Sequence, residues 1–213
     1  MKNIFISYLL ACFPFLLSAQ IGEVKLPTDS ANSPLSVSAT GYYYFFSGSE
    51  NNTLTLIGYL DYNSLHLEPR YNYEGQNTGS VFAGWKFSME GKISFTATPM
   101  FGIVFGSLQG VAPGLELELS YKAFDFYTEN EYVVDHAGSQ YNYFYTWTEL
   151  GFSPVERLRT GISAQRTRLY ETGLDIQRGI FAEYSFWKMT AGLHYFNPFT
   201  SEYFFITSLN IEF

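Results

Sequence analysis

The sequence contains almost no cysteine. Cys12 is the only one among the 213 residues, and it lies inside the apolar segment at the start of the chain. Once that segment is removed, the chain has no thiol, which excludes disulfide bonds, thiolate metal sites and a cysteine nucleophile. Stability after export then needs another source, and a closed hydrogen-bonded sheet supplies one.

Long apolar runs and charge are also scarce. After residue 19 no apolar stretch is long enough for a membrane-spanning helix. Charged residues make up 15% of the chain and the formal net charge is −8, so there is no electrostatic reason to bind nucleic acid. The sequence has no G-x-S-x-G, no H-E-x-x-H and no phosphate-binding glycine loop. No cofactor is therefore predicted.

Residues 1–19 have the anatomy of a secretory signal peptide. Lys2 is the positive start, residues 4–17 are almost wholly apolar, and small residues precede a predicted cleavage after Ala19. A transmembrane helix is one alternative, but the run is short for a span. A lipoprotein signal around Cys12 is another, but apolar residues continue where a polar tether is expected. Residues 20–33 are polar and are predicted to form a short periplasmic tail.

Aromatic side chains are abundant instead. The chain has 21 Phe, 18 Tyr and 3 Trp, together 20% of its residues, while its mean hydropathy is −0.04. The core of a soluble domain of this size would contain more Leu, Val and Ala. Aromatic girdles, glycine-rich strands and a polar interior produce this balance in membrane β-barrels.

From residue 34 onward, apolar and polar residues alternate in segments separated by turn-forming clusters. This pattern is typical of strands with different surroundings on their two faces. Pro99 falls inside the fifth segment and predicts a bulge. The connections after even-numbered segments are shorter than the others. The predicted strands are 35–46, 53–62, 65–73, 80–89, 92–105, 114–121, 124–134, 141–152, 157–170, 176–187, 189–196 and 203–213.

An even number of strands lets the last strand pair with the first and leaves no free edge. Residues 34–213 are therefore predicted to form an all-β, transmembrane, antiparallel up-and-down β-barrel of about twelve strands. Short turns face the periplasm in such barrels, which places both termini there. The alternative is a soluble β-sandwich or lipocalin-like barrel, whose apolar residues would point inward.

The final segment, 203–213, resembles a known type of strand. Its length suits a tilted membrane strand, and its apolar face is predicted to carry Tyr203, Phe205, Leu209, Ile211 and Phe213. It resembles the C-terminal strand of bacterial outer-membrane β-barrel proteins, in which a terminal Phe and alternating apolar residues are read by the assembly machinery. The resemblance implies an outer-membrane location, with membrane lipid and the barrel-assembly machinery as partners. It indicates no oligomeric state.

The inward face is where function is expected. Its charges either form an ion-pair network that fills a narrow interior or line a wet pore that selects solutes. The acidic excess favours cations and neutral polar solutes over anions. Tyr143, Tyr145 and Trp147 either stack on passing sugar rings or fill space. The candidate lumen residues are Glu68, Arg70, Lys86, Glu116, Glu118, Glu129, Glu131, Tyr145, Glu149, Arg159 and Glu183.

A group of arginines lies near one end of neighbouring segments. Arg166, Arg168 and Arg178 are candidates to bind lipopolysaccharide phosphates, and the alternative is an ordinary interfacial anchor with a snorkelling stem. These residues make lipopolysaccharide a predicted partner.

Histidine gives only weak signals. His66, His136 and His194 are scattered singly, so no metal site is predicted. Residues 135–139 place an acid, His136 and a serine in one loop, which is the only hint of a hydrolase. A catalytic triad is defined by geometry and not by closeness in sequence, so the hint is weak.

These patterns predict a small passive channel for polar solutes rather than an enzyme. Two alternatives remain open at this point. One is a structural or accessory barrel with a packed, charged interior that partners other envelope proteins. The other is an outer-membrane lipid-modifying enzyme.

Overall fold

The computed structural model describes residues 34–46, 52–167 and 176–213. The predicted signal peptide and tail lie outside these residues. Within them the chain forms thirteen β-strands and one 3₁₀ turn, Ser139–Tyr141. The strands are β1 (Leu35–Phe46), β2 (Thr53–Tyr62), β3 (Leu65–Tyr71), β4 (Thr78–Trp85), β5 (Phe87–Met89), β6 (Ser94–Gly106), β7 (Gly110–Tyr121), β8 (Phe124–Asp135), β9 (Tyr143–Val155), β10 (Leu158–Arg166), β11 (Gln177–Phe186), β12 (Met189–Phe196) and β13 (Phe204–Glu212).

The sheet closes on itself. Consecutive strands pair antiparallel, and β1 pairs with both β2 and β13, as in Ala39 opposite Ile211. Strands β4 and β5 both pair with β6, so together they occupy one position in the barrel. The fold is therefore a closed barrel of twelve antiparallel positions, and the predicted fold class is confirmed.

The break between β4 and β5 lies opposite a proline. Gly84 pairs with Met100 and Phe87 pairs with Ala97, so the intervening Trp85 and Lys86 face Pro99 and its neighbour. Proline has no backbone N–H to donate to the ladder. The Lys86 N–H turns instead to the Ser64 carbonyl oxygen at 2.8 Å. The irregularity predicted from Pro99 is present, but it interrupts the neighbouring strand.

Several predicted strand boundaries were wrong. The third strand ends at Tyr71 and not at residue 73, because Asn72 adopts a left-handed conformation with φ of 57°. The sixth predicted strand corresponds to β7, which begins at Gly110 and not at residue 114, because glycine and proline in 110–114 resemble a loop although Val111 pairs with Ile103. The eighth predicted strand corresponds to β9, which continues to Val155, beyond the predicted end at residue 152.

The two faces of the barrel differ as the alternation predicts. On β6, Phe101 is 54% and Ile103 is 61% exposed, while Met100 before them and Val104 after them are buried. Large apolar side chains thus cover the outer surface, which rules out the soluble alternative with inward apolar residues. Among the described residues no helix is long and apolar enough to cross a membrane.

The connections differ in length between the two ends. At the end where β1 begins and β13 ends, the turns are 63–64, 90–93, 122–123, 156–157 and 187–188. We call this the short-turn end. Most connections at the other end are longer, including 72–77, 136–142 and 197–203, and we call it the loop end. The placement of the short-turn end in the periplasm stays a prediction.

Candidate functional site

One arginine inside the barrel is surrounded by acids. The side chain of Arg70, on β3, is fully buried. Its Nη2 lies 2.8 Å from Glu68 Oε2 and 2.7 Å from Glu129 Oε1. Its Nη1 lies 2.9 Å from Glu131 Oε2 and 3.6 Å from Glu74 Oε1. We call these five residues the Arg70 cluster.

Aromatic rings enclose this cluster. The guanidinium carbon of Arg70 lies 4.1 Å from the centre of the Phe82 ring and 4.6 Å from that of Tyr73. Tyr73 donates its hydroxyl to Glu129 Oε2 at 2.6 Å, and Tyr145 donates to the Tyr73 hydroxyl at 2.6 Å. These contacts favour both the cation and the carboxylates in a site away from water.

The cluster contains more acid than base. Four carboxylates surround one guanidinium, and Glu116 adds a fifth nearby, with its Oε1 accepting the Tyr127 hydroxyl at 3.0 Å. Burying unpaired charges is costly, so this excess demands protons or a further cation. Glu74 belongs to the connection 72–77, outside the strands, and burial raises the pKa of its carboxyl above the usual range.

A second charged group, the Arg159 cluster, lies toward the short-turn end. Arg159 Nη1 donates to Glu149 Oε2 at 2.6 Å and to Glu183 Oε2 at 2.9 Å. Its Nε and Nη2 donate to Asp125 Oδ1 at 2.9 and 2.5 Å. Glu149 Oε1 is also within 3.0 Å of His194 Nε2. The arginine, Asp125 and Glu183 are each about one-fifth exposed, so this group contacts solvent.

Tyrosines dominate the space between the two clusters. A cavity of about 20 Å³ is present there, enough for about one water molecule. As its side chains stand, the cavity itself has no room for a larger solute. Its lining residues are Tyr42, Tyr44, Ile57, Tyr59, Tyr73, Tyr127, Glu129 and Trp147.

The interior also contains apolar packing that the alternation did not predict. One group of buried side chains lies on β4, β6, β7 and β8, with Phe82 packed flat over Gly102, where an added Cβ would meet the ring. The other combines aromatic rings with Ile57 and Ile206. Inward side chains of a barrel this narrow reach one another, so apolar residues there pack as in a soluble core.

Most of the predicted lumen residues lie inside the barrel. Tyr145 is buried, as are Trp147 and Glu149 on the same strand, and Tyr143 is half-buried. Lys86 is half-exposed and pairs with Asp61 Oδ2 at 2.9 Å. Glu118 shares the face of Glu116 but is exposed to solvent. Contact of these residues with a solute stays a prediction.

Sequence reasoning missed several residues of the interior. Strict alternation along the predicted strand 65–73 puts Tyr73 on the face opposite to Arg70. That prediction was wrong, because the left-handed Asn72 before Tyr73 reverses the alternation and Tyr73 is buried. Glu74 follows the predicted strand 65–73 in the next connection, and it was not among the candidate lumen residues, yet it is buried against Arg70. His66 had a usable signal, since it shares the face of Glu68 and Arg70.

The arginines predicted to bind lipopolysaccharide lie partly within the described structure. Arg166 and Arg178 are exposed on neighbouring strands β10 and β11 near the loop end. Arg166 Nη1 donates to the Phe144 carbonyl oxygen at 2.6 Å. Arg168 lies outside the described residues. Their contact with lipopolysaccharide stays a prediction.

In the loop 135–139, which carries the weak hydrolase signal, the polar groups make hydrogen bonds within the turn. Asp135 Oδ1 accepts the Ala137 N–H at 2.7 Å, and the Asp135 N–H donates to Asn142 Oδ1 at 2.8 Å. Ser139 begins the 3₁₀ turn, and His136 is exposed. These contacts stabilise the connection and give no Ser–His relay.

The closed antiparallel barrel, its apolar outer surface and its charged interior together define an outer-membrane β-barrel protein. On β13, Phe205, Leu209 and Ile211 share the outward face, as predicted for an assembly strand. Tyr203 and Phe213, which flank the strand, are both exposed. Reading of this strand by assembly machinery stays a prediction.

Comparison with solved structures finds the same fold in other proteins. The chain is similar to a KdgM porin with a TM-score of 0.59 and 13% identity, covering 83% of this chain and 99% of the porin. The values are the same for the KdgM porin in complex with disordered oligogalacturonate. The outer membrane protein Omp33 of Acinetobacter baumannii aligns with a TM-score of 0.48 and 13% identity, over 84% of this chain and 97% of that one. No protein-family model matches the sequence, and no curated protein matches it.

Proposed function

We propose that this chain is a narrow outer-membrane channel for small polar solutes, with a preference for cations and neutral molecules over anions. The observation that carries the proposal is the charge of the inner wall. In both the Arg70 cluster and the Arg159 cluster, carboxylates outnumber the arginine they surround. Rings of carboxylates in a pore attract cations and repel anions.

The tyrosines between the clusters form the constriction of the proposed channel. Tyr127 lines the small central cavity together with Tyr42 and Tyr59. Passage of a solute larger than water requires such rings to rotate away, which gives low conductance.

The comparison suggests a difference in solute. Oligogalacturonate, which is bound in one KdgM porin structure, is an acidic sugar polymer. The acid excess around Arg70 and Arg159 would repel such a polymer. We therefore expect uncharged or cationic solutes for this chain.

Planar-bilayer conductance tests the proposal. The purified barrel should give small, cation-selective currents, with the selectivity measured as a reversal potential in a KCl gradient. Tyr127→Ala should raise the conductance by widening the constriction. Tyr132→Ala is the matched control, because Tyr132 lies on the same strand but faces outward and is 45% exposed.

A specific observation favours a second candidate, an accessory barrel with a packed interior. Glu68 and Phe82 are completely buried, and the central cavity holds about one water. If inserted wild-type protein and inserted Tyr127→Ala both carry no current at any voltage, the channel is excluded and the packed barrel is favoured.

A further inference from the structure

A histidine inside the barrel is oriented by a carboxylate. His66 Nδ1 lies 2.7 Å from Asp61 Oδ1, and Asp61 Oδ2 is held in turn by Lys86 Nζ at 2.9 Å. A carboxylate on Nδ1 places the proton of a neutral imidazole there and leaves the Nε2 lone pair available. This arrangement is the usual support of a metal-binding histidine.

The other nitrogen of His66 points at two acids. His66 is 3% exposed, and its Nε2 makes no hydrogen bond. The nearest carboxylate oxygens are Glu68 Oε2 at 3.6 Å and Glu116 Oε2 at 3.9 Å. One ligand atom from each of the three residues falls within 4.8 Å of the others. Ligand atoms about 2.0–2.2 Å from one tetrahedral zinc ion lie roughly 3.3–3.6 Å apart, so the three side chains would draw together by about 1 Å to hold the ion.

The surrounding charge favours a cation at this position. Glu68 Oε2 already binds Arg70 at 2.8 Å, but Glu68 Oε1 makes no hydrogen bond. That carboxylate can therefore bridge the guanidinium and a metal ion. The excess of buried carboxylates around Arg70 leaves negative charge that a divalent ion would compensate.

We propose that His66, Glu68 and Glu116 bind a divalent transition-metal ion of the zinc type in the barrel interior. One imidazole with two carboxylates suits such an ion better than Ca²⁺ or Mg²⁺, which prefer oxygen ligands alone. Three protein ligands leave a fourth position for water or a solute. The ion would join β3 to β7, which are not neighbours in the sheet.

The alternative occupant is a proton on Nε2. A protonated His66 would pair with the same two carboxylates as a salt bridge, without a metal. Because the three histidines are scattered in the sequence, it predicted neither a metal ion nor a proton on Nε2. A measurement of Zn²⁺ binding, with no other ligand present, decides between the two.

The test is a Zn²⁺ titration of the folded, detergent-solubilised barrel in competition with a chromophoric chelator. The wild type should bind one Zn²⁺, and His66→Ala should weaken the affinity at least about 100-fold by removing a ligand. Glu116→Gln keeps the shape of the side chain and should also weaken binding. His136→Ala, in an exposed loop, should leave the affinity unchanged. Heat-modifiable gel mobility verifies that each variant is folded.

A positioning role for Asp61 is tested separately. Asp61→Asn should weaken Zn²⁺ binding about 10- to 100-fold, and Asp61→Glu should restore part of it. X-ray absorption at the zinc edge should show one imidazole ligand in the wild type and in Asp61→Asn alike.

Two results overturn the proposal. One is wild-type binding no tighter than that of folded His66→Ala and Glu116→Gln, which assigns Nε2 to a proton. The other is loss of binding in His194→Ala but not in His66→Ala, which moves the ion to Glu149, Glu183 and His194. Neither result depends on whether the barrel conducts, so the channel proposal stands or fails on its own test.

Discussion

Arg70 Nη1 lies 2.9 Å from Glu131 Oε2, although the two residues are 61 positions apart in the chain. Arg70 is on β3 and Glu131 on β8, and β4, β6 and β7 separate these strands in the sheet. The pair therefore spans the lumen. Such a contact forms only when these strands curve around the interior, so it links the packing of the interior to the curvature of the sheet.

Replacing Arg70 should strongly destabilise the barrel. Arg70→Ala leaves several buried carboxylates without their cation, which typically costs about 3–5 kcal/mol. The urea midpoint, followed by tryptophan fluorescence of the folded barrel, measures the loss. Arg157→Ala, in an exposed turn, is the control and should change stability by less than about 0.5 kcal/mol. Equal midpoints for the two variants would mean that the carboxylates of the cluster are already neutral.

Stability should depend on the protonation of Glu74. Burial raises the pKa of this carboxyl in the folded protein, so its protonated form favours folding. That contribution is complete below the unfolded pKa, about 4.3, and is lost as the pH rises through the folded pKa. Glu74→Gln should therefore reduce the loss of stability above about pH 4.3. The charged and hydrogen-bonding side chains that act on the Glu74 carboxyl are Arg70, Glu68 and Ser80.

Urea midpoints measured between acid and neutral pH give this comparison. Glu156→Gln, at an exposed turn, should follow the wild-type curve. Parallel curves for wild type and Glu74→Gln would contradict the assignment.

Gly151 provides room for the Arg159 cluster. A Cβ at this position would meet the Asp125 carboxylate and the Nε of Arg159. Gly151→Ala should separate this pair and destabilise the folded barrel by about 1–3 kcal/mol, the usual cost of overpacking. Gly41→Ala is the control, since an added Cβ there meets only Leu56 Cδ2, at 3.4 Å. The measurement is the urea midpoint of each variant. Equal midpoints for Gly151→Ala and Gly41→Ala would show that Asp125 and Arg159 move aside without loss of stability.

The side chain of Phe213 should matter for assembly in cells more than for stability. Its backbone N–H donates to the Val37 carbonyl oxygen at 3.0 Å, while its ring is 73% exposed. Phe213→Ala keeps the hydrogen bond and removes only the aromatic ring. We expect less heat-modifiable barrel in outer-membrane fractions but unchanged refolding in detergent.

Trp187 gives a matched control for this experiment. It is an aromatic residue at the same short-turn end and is 91% exposed. Trp187→Ala should leave the membrane fraction unchanged. Equal losses in both variants would indicate a general need for interfacial aromatics in place of a terminal signal.

Local alternation predicted the strands and their faces well. It correctly placed Tyr145 and Glu149 of β9 on the inward face of the barrel, even though aromatic residues occupy both faces of that strand. It failed at Tyr73, because a single left-handed residue, Asn72, reverses the alternation of side chains between the two faces. A pattern of period two is broken by one unusual backbone angle, and such an angle at Asn is not determined by its neighbours in sequence.

The sequence by itself determined the class of this protein, because period two, turn spacing and aromatic content are local properties that a closed membrane barrel requires. Only the tertiary structure decided which inward residues meet. His66 is five residues from Asp61 in the chain but reaches Glu116 only across the interior. Such partners depend on the order, tilt and stagger of all strands in the closed barrel, and no single segment contains that information.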